Sequence, residues 1–249
     1  MKRIDVPHEA IAGCTEGDRI ELPDDTAHYV ANVLRLTPDD RVELFDGSGR
    51  VVVAQITAVG DEVTVHIERA DELERNESPL TTRLFQAIPK GKRWKWLLQK
   101  TTELGVDDVV PLHTRHGVVN IPDDRIPNRM ERWDKIISSA ARQSQRTKTP
   151  QVHRPHTVDE ALELTDDATG LIAHTGEQSA TTAEVLTRLG QATEAVDIWI
   201  GPEGGFTDEE VEAITDHGAQ PISLGPRVLR TETAGIASIA IAQSVLGDM

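Results

Sequence analysis

Two textures of apolar residue follow one another along the chain. Over roughly the first seventy positions, RIEL, DRVELFDG, GRVVVAQITAV and DEVTVHIERA alternate apolar with polar residues or cluster β-branched ones. Such runs, closed by the turn signals DGSG and VGDE, predict strands. Between them DTAHYVANVLRL has helical spacing through His28, Val30, Val33 and Leu34, with Asp24 or Asp25 as its cap. A small β-barrel or half-barrel is expected here. DELERNESP, Asp71–Pro79, is polar, charged and closed by proline, which suits a linker.

From Leu80 the pattern changes to short apolar runs alternating with amphipathic ones. TRLFQAI predicts a strand, and KRWKWLLQKTTEL a helix with Trp94, Leu97, Leu98, Thr101 and Leu104 on one face. Gly105 is placed to stop that helix. VDDVVPLH, TGLIAHTG, AVDIWIGPEGG and QPISLGP predict further strands. NRMERWDKIISSAARQSQ, TAEVLTRL, TDEEVEAITDHG and TAGIASIAIAQSVL predict the intervening helices. Alternation of this kind implies α/β architecture with a mainly parallel sheet. The last helix is apolar nearly all round, so it must be buried in the domain or against a second subunit. In such a sheet the loops after the strands line the ligand crevice, and IAHTG, IGPEGG and SLGPRVLR are the candidates.

Composition narrows the classes. No apolar stretch reaches the length of a membrane span, the start MKRIDVPHEA carries no apolar leader core, and the single cysteine, Cys14, excludes a disulfide framework or a cysteine metal cluster. Histidines are scattered without H-x-x-x-H or H-E-x-x-H spacing, so no metal is expected. A soluble cytoplasmic protein is the expectation. The net charge is −16, but its distribution matters more. Residues 1–82 are net −10 and residues 149–249 net −13, whereas 83–148 carry 14 basic against 7 acidic side chains, net +7. A basic segment in an acidic chain is either a polyanion site or a solvated helix surface.

Three motifs carry candidate chemistry. IGPEGGFTDEE, Ile200–Glu210, is a glycine loop running into a helix capped at Thr207 or Asp208. It is neither a dinucleotide fingerprint nor a P-loop, and it lacks the lysine a triphosphate needs. Glu203 and the acidic run after it would repel phosphate, so the loop is either a ligand cradle for a hydroxylated or cationic group or a tight turn. LGPRVLRTETAG places Arg227 and Arg230 three residues apart, in a stretch, residues 149–249, with only four cations. Their planar forks suit a carboxylate, a phosphate or a polarised base edge, or pairing with Glu203 or Glu232. PKGKRWKWLLQK interleaves Lys90, Lys92 and Arg93 with Trp94 and Trp96, and RQSQRTKTP puts Arg142, Arg146 and Lys148 at a helix end. Cations beside an exposed aromatic can hold phosphates and stack unpaired bases, and Trp96 is the indole off the apolar face.

KGKRWKWLLQKTTELGV, RQSQRTKTPQV, IGPEGGFTDEE and LGPRVLRTETA, in this order, resemble the bacterial small-subunit ribosomal RNA uridine N3-methyltransferase family of the SPOUT class. HYVANVLRL and LFDGSG are similar to its N-terminal domain, so the likeness covers nearly the whole chain. It implies a PUA-like RNA-binding β-barrel over 1–72 and, over 78–249, a SPOUT α/β methyltransferase domain with a deep trefoil knot. It also implies an S-adenosylmethionine site in the knot, a homodimer with active sites at the subunit interface, and 16S ribosomal RNA or the small ribosomal subunit as partner.

Carried onto this sequence, the resemblance assigns the cofactor to His174, Ile200, Gly201, Pro202, Glu203, Gly204, Gly205, Leu224, Gly225, Pro226, Val228, Leu229 and Arg230. RNA would be met by Arg35, Lys90, Lys92, Arg93, Trp96, Arg142, Arg146, Lys148 and Arg227. Arg142 departs from the family pattern, which often carries glutamate there. For methylation at uridine N3, Arg230 is expected to stabilise negative charge on a uracil carbonyl oxygen, and Glu232, two residues on, to accept the imide proton. The competing class is a non-catalytic RNA-binding ribosome-assembly factor. A phosphate-cradling nucleotide hydrolase is disfavoured by the missing P-loop lysine.

Overall fold

The computed structural model describes residues 1–60, 62–72, 77–165, 168–174 and 180–249. The chain divides into two compact units, Met1–Glu77 with Ala141–Thr149, and Ser78–Ala140 with Pro150–Met249. The first unit therefore takes back nine residues from beyond the middle of the chain, a discontinuity that a split at 72/78 does not contain. Of the expected linker, positions 73–76 lie outside the described residues.

In the first unit the strands are β1 (Lys2–Asp5), β2 (Arg19–Glu21), β3 (Arg41–Phe45), β4 (Arg50–Val59) and β5 (Val63–Glu72), with short helices α1 (His8–Ile11) and α2 (Asp24–His28). They form one sheet in the order β1-β3-β4-β5-β2, antiparallel except for β1 beside β3. Val63, Val65 and Ile67 face inward onto Val42, Leu44 and Ile56, while Thr64 and His66 between them are less buried. That is the period of two read from the sequence. The expected helix over DTAHYVANVLRL differs. After α2 the backbone winds as a π turn over Tyr29–Val33, closed by Leu34 N donating to Tyr29 O. The wider turn rotates the face, so Val30 is buried while His28 and Val33 are exposed.

The returning segment is fixed by one carboxylate. Glu77 accepts from Arg146 Nε and Nη2 at 3.0 and 2.8 Å, and from the backbone N–H groups of Thr147 and Lys148 at 2.6 and 2.9 Å. Both side chains of the pair are about as buried as core residues. Ser48 and Lys148 add an antiparallel bridge.

The second unit alternates β6 (Thr81–Ala87), α3 (Arg93–Glu103), β7 (Asp108–His113), α4 (Ile126–Gln143), β8 (Gln151–Val152), β9 (His156–Thr157) and α5 (Val158–Leu162). It continues with β10 (Thr169–Ala173), α6 (Thr182–Leu189), β11 (Ala195–Ile200), α7 (Asp208–Asp216), β12 (Gln220–Ile222) and α8 (Thr231–Leu246). The sheet order is β12-β10-β11-β6-β7-β8, with β9 beside β7, and every pairing is parallel. The α/β class with a mainly parallel sheet is as expected. Alternate residues serve opposite faces. Leu84, Ile198 and Ile200 pack with Leu97 and Leu98 of α3, Trp133 of α4 and Ile239 of α8. Phe85 and Trp199, stacked at 4.1 Å, pack with Val158 of α5 and Ile214 of α7. Each fully buried side chain of this size contributes about 1.5–3 kcal/mol.

Local signals hold at the element ends. α3 buries Trp94, Leu97, Leu98 and Thr101 and stops at Gly105, whose φ of +91° allows its N–H to reach Thr102 O while Val106 N reaches Thr101 O. This is the paired closure that a left-handed glycine permits. Thr207 caps α7 in a reciprocal box with Glu210. α8 begins two residues earlier than its apolar run suggests, with Arg230 at its cap.

Candidate active site

Parallel strands send their following loops to one edge. His174 after β10, Gly201 after β11 and Ser223 after β12 all lie there. His174 N donates to Ile222 O at 3.2 Å, Thr182 N donates to Ser223 O at 3.0 Å, and Gly225 N donates to Ser223 Oγ at 3.2 Å. Thr175 and Gly176 of the IAHTG loop lie outside the described residues. The strand order reverses direction around β6 and β11, which are neighbours in the sheet but far apart in sequence, and a crevice at such a switch point is the usual ligand site of an open parallel sheet.

A buried relay joins that switch point to the start of α8. Gln86, opposite Ile200 in register, donates through Nε2 to Ala87 O at 3.0 Å and to Thr231 Oγ1 at 2.8 Å. Thr231 in turn donates to Gly201 O at 2.6 Å. One side chain thus fixes the carbonyl that opens the glycine loop and the first residue of the helix that follows the arginine loop. Neither Gln86 nor Thr231 stands out in the sequence, because a Gln inside an apolar strand reads as an interruption of the pattern.

Three charged residues meet beside this relay. Arg93 at the start of α3 donates from Nη1 to Glu203 Oε1 at 3.1 Å, and its Nε lies 3.6 Å from Glu232 Oε1. Glu232 is buried, 5% exposed, and its Oε2 has no hydrogen-bond partner. A buried carboxylate oxygen without a donor is costly and calls for a reason. Its place in the first turn of α8 supplies part of one, since the helix N-terminus favours negative charge. Glu203, expected to repel phosphate, to line the cofactor site or to pair with Arg227 or Arg230, shares the guanidinium of Arg93. His116, in the loop after β7, approaches the same glycine loop, its Nδ1 3.1 Å from Gly205 O.

The remaining assigned residues divide by exposure. Arg227 and Arg230 are exposed, and Arg230 caps α8 through its backbone with no side-chain cap bond. Leu224 and Leu229 pack on the main core, but Val228, expected in the same apolar wall, is 91% exposed. Pro202 and Ile200 are buried, whereas Glu203, Gly204, Gly205, Gly225 and Pro226 are exposed. Lys90, Lys92 and Trp96 are exposed, Trp96 by 45%, so the indole off the apolar face is the one presented outward. In the first unit Arg35 is exposed with φ +53°, Arg142 pairs with Asp5 at 3.0 Å, and Lys148 is half-buried. Arg146, expected to meet RNA, is 3% exposed with its guanidinium on Glu77.

Two of the loop glycines leave their backbone open to a ligand. At Gly205 and Gly225, both at positive φ, a Cβ would meet no atom within 4 Å, so the backbone there borders open space. Among the described residues no group of three or more His, Cys, Asp or Glu side chains is placed to hold a metal, and no helix is long and apolar enough to cross a membrane.

A parallel α/β sheet whose loops after β10, β11 and β12 gather at one edge, in a chain that also carries a separate, mainly antiparallel sheet unit, defines a two-unit α/β class with its ligand crevice at the carboxyl ends of the strands. Residues 76–243 match the RNA methyltransferase domain family and residues 22–68 the RNA methyltransferase PUA domain, and the chain belongs to this RNA methyltransferase family. It is similar to the ribosomal RNA small subunit methyltransferase E of Buchnera aphidicola, 33% identical over 91% of this chain and 88% of that one. The crystal structure of the Neisseria gonorrhoeae ribosomal RNA small subunit methyltransferase E bound to S-adenosylmethionine superposes with a TM-score of 0.85, at 33% identity over 100% and 99% of the two chains. A Legionella pneumophila methyltransferase in complex with the same cofactor gives 0.82 at 36% identity, over 99% and 98%.

Proposed function

We propose that this protein is an S-adenosylmethionine-dependent methyltransferase acting on N3 of a uridine in 16S ribosomal RNA. The observation that carries the reading is the edge itself: the Gln86–Thr231–Gly201 relay beside an exposed Arg230 and a buried Glu232 oxygen that lacks a donor. The relatives crystallised with S-adenosylmethionine support the cofactor. His174, the backbone of 200–205, and Leu224, Gly225, Pro226, Val228 and Leu229 would hold it, the open sides of Gly205 and Gly225 leaving room for its body. When bound, the cofactor supplies an electrophilic methyl group.

The chain's own residues then have two tasks. The imide N–H of uracil is a weak acid, so its reaction needs negative charge stabilised on a carbonyl oxygen and a proton removed from N3. Arg230 offers only N–H donors and can only do the first. Glu232 Oε2 has a lone pair that no donor uses, and it takes the second role. Arg93, held between Glu203 and Glu232, positions that carboxylate. The target base must leave its stack to reach these groups.

The same reading includes the finer features the family likeness implies. They are a PUA-like barrel in the first unit, a deep trefoil knot holding the cofactor site, a homodimer with active sites at the subunit interface, and the cytoplasm, where ribosomal subunits are assembled. RNA binding would use Arg35, Lys90, Lys92, Trp96, Lys148 and Arg227. The test is mass spectrometry of ribosomal RNA from a strain lacking the protein, where one methyluridine of the small subunit should disappear and return on complementation. Calorimetry adds a second check, because an assembly factor without catalysis would bind neither S-adenosylmethionine nor S-adenosylhomocysteine.

A further inference from the structure

Besides the loops after β10, β11 and β12, the second unit has a cleft of about 220 Å³ between the start of α3, residues 119–122 and the start of α4. Its floor is apolar: Trp94 and Trp133, edge to face at 5.4 Å, with Ile136 beside them. The indole N–H of Trp94 is buried and has no acceptor. Its rim is cationic. Arg125, just before α4, and Arg129 and Arg132, three residues apart on it, line the cleft together, and Lys95 of α3 joins them. All four are exposed. Among the described residues none has a carboxylate within 4.0 Å, although the chain as a whole carries −16. Four unneutralised cations around one apolar cleft in an acidic protein fit a polyanion that also carries a flat apolar group.

We propose that this cleft is a subsite for an unpaired RNA nucleotide, with its base in the apolar cleft and its flanking phosphates on Lys95, Arg125, Arg129 and Arg132. The proposal rests on the reading of RNA as substrate and deepens it: this site anchors a nucleotide other than the reacting one. The cleft is smaller than the roughly 300 Å³ at which drug-sized ligand sites begin. It therefore suits a single ring with its sugar and phosphates outside.

Two variants test it. R125Q/R129Q/R132Q removes charge from exposed positions, and I136W fills the floor. The probe is small-subunit ribosomal RNA, free and in isolated small subunits, titrated against each protein over a range of KCl. The triple variant should bind more weakly, and its slope of log K against log[salt] should fall by about 2, at roughly 0.7 for each single-strand phosphate the variant leaves unneutralised. I136W should lose affinity with the slope unchanged. S-adenosylmethionine affinity should match the parent in both, and saturating RNA should restore turnover. Parental affinity and slope in the triple variant would overturn the proposal. So would a loss of oligomeric mass by light scattering in that variant, which would make the occupant a second copy of the chain. If the parent binds RNA with the expected slope but transfers no methyl group, the proposed activity fails while the subsite stands.

Discussion

Replacing Arg230 with alanine separates chemistry from architecture better than any other substitution at the loop edge. Arg230 is exposed, it caps α8 through extended backbone at φ −66° and ψ 150°, and its side chain makes no cap hydrogen bond. No carboxylate among the described residues lies within 4.0 Å of it. Its truncation therefore costs the fold no more than about 0.5 kcal/mol, as for other surface positions without partners. If its guanidinium stabilises charge developing on a uracil oxygen, removal costs about 3–4 kcal/mol of transition-state stabilisation, a 10²- to 10³-fold loss in rate. The assay is single-turnover methyl transfer at saturating cofactor and RNA, with the thermal midpoint measured alongside. R227A, equally exposed on the same loop, is the control and should slow the reaction less than about tenfold. R230K keeps the charge but loses the planar fork, so it should fall between parent and alanine. An R230A enzyme turning over within about threefold of the parent, with an unchanged midpoint, would refute the assignment.

Other expectations concern the scaffold. E77Q should destabilise the first unit by about 3–5 kcal/mol in urea denaturation, because it strands the buried guanidinium of Arg146; a loss below about 1 kcal/mol would contradict the pairing. G235A should lower both the midpoint and turnover. A Cβ there would come within 2.3 Å of Gln86 Oε1, and overpacking of about 1–3 kcal/mol outweighs the roughly 1 kcal/mol of helix propensity gained. Burial holds His113 and His156 below the ordinary imidazole value of 6.5, against smaller opposing effects that include Glu160. The unfolded chain then takes up protons first, so stability is complete above pH 6.5 and declines as pH falls through that value and below. H113Q/H156Q should flatten this part of the urea-midpoint profile, and an unchanged profile would dismiss both histidines as its source.

The fold was legible where its causes are local. Alternation over Val63–Ile67 named the inward face of β5, and the run from Trp94 to Leu104 with Gly105 after it named the buried face and end of α3. It was illegible where the cause is a distant partner. Nothing near Glu77 announces Arg146, 69 residues on, yet that pair draws Ala141–Thr149 into the first unit. At Tyr29–Val33 the spacing did suggest a helix, but one extra residue in the turn was enough to rotate Val33 outward.

The same distinction governs the site and the charge pattern. The glycine and proline loops could be read because a tight turn at a strand end restricts the residue types that fit it. Arg93 could not be resolved, since a basic residue before a helix looks alike whether it meets RNA or an internal carboxylate. The structure gives it Glu203 and Glu232. This recasts the +7 of residues 83–148. Arg83 is spent on Asp197, Arg93 on its two glutamates, Arg142 on Asp5 and Arg146 on Glu77. Each of these acids lies outside the basic segment, so a segment sum counts the cation and misses its partner. Phosphate responds only to the cations such pairing leaves over. Among them are Lys90 and Lys92 before α3, and Lys95, Arg125, Arg129 and Arg132 around the cleft. The unpaired positive field of the second unit is therefore narrower than its sequence suggests, and it concentrates where α3 and α4 begin.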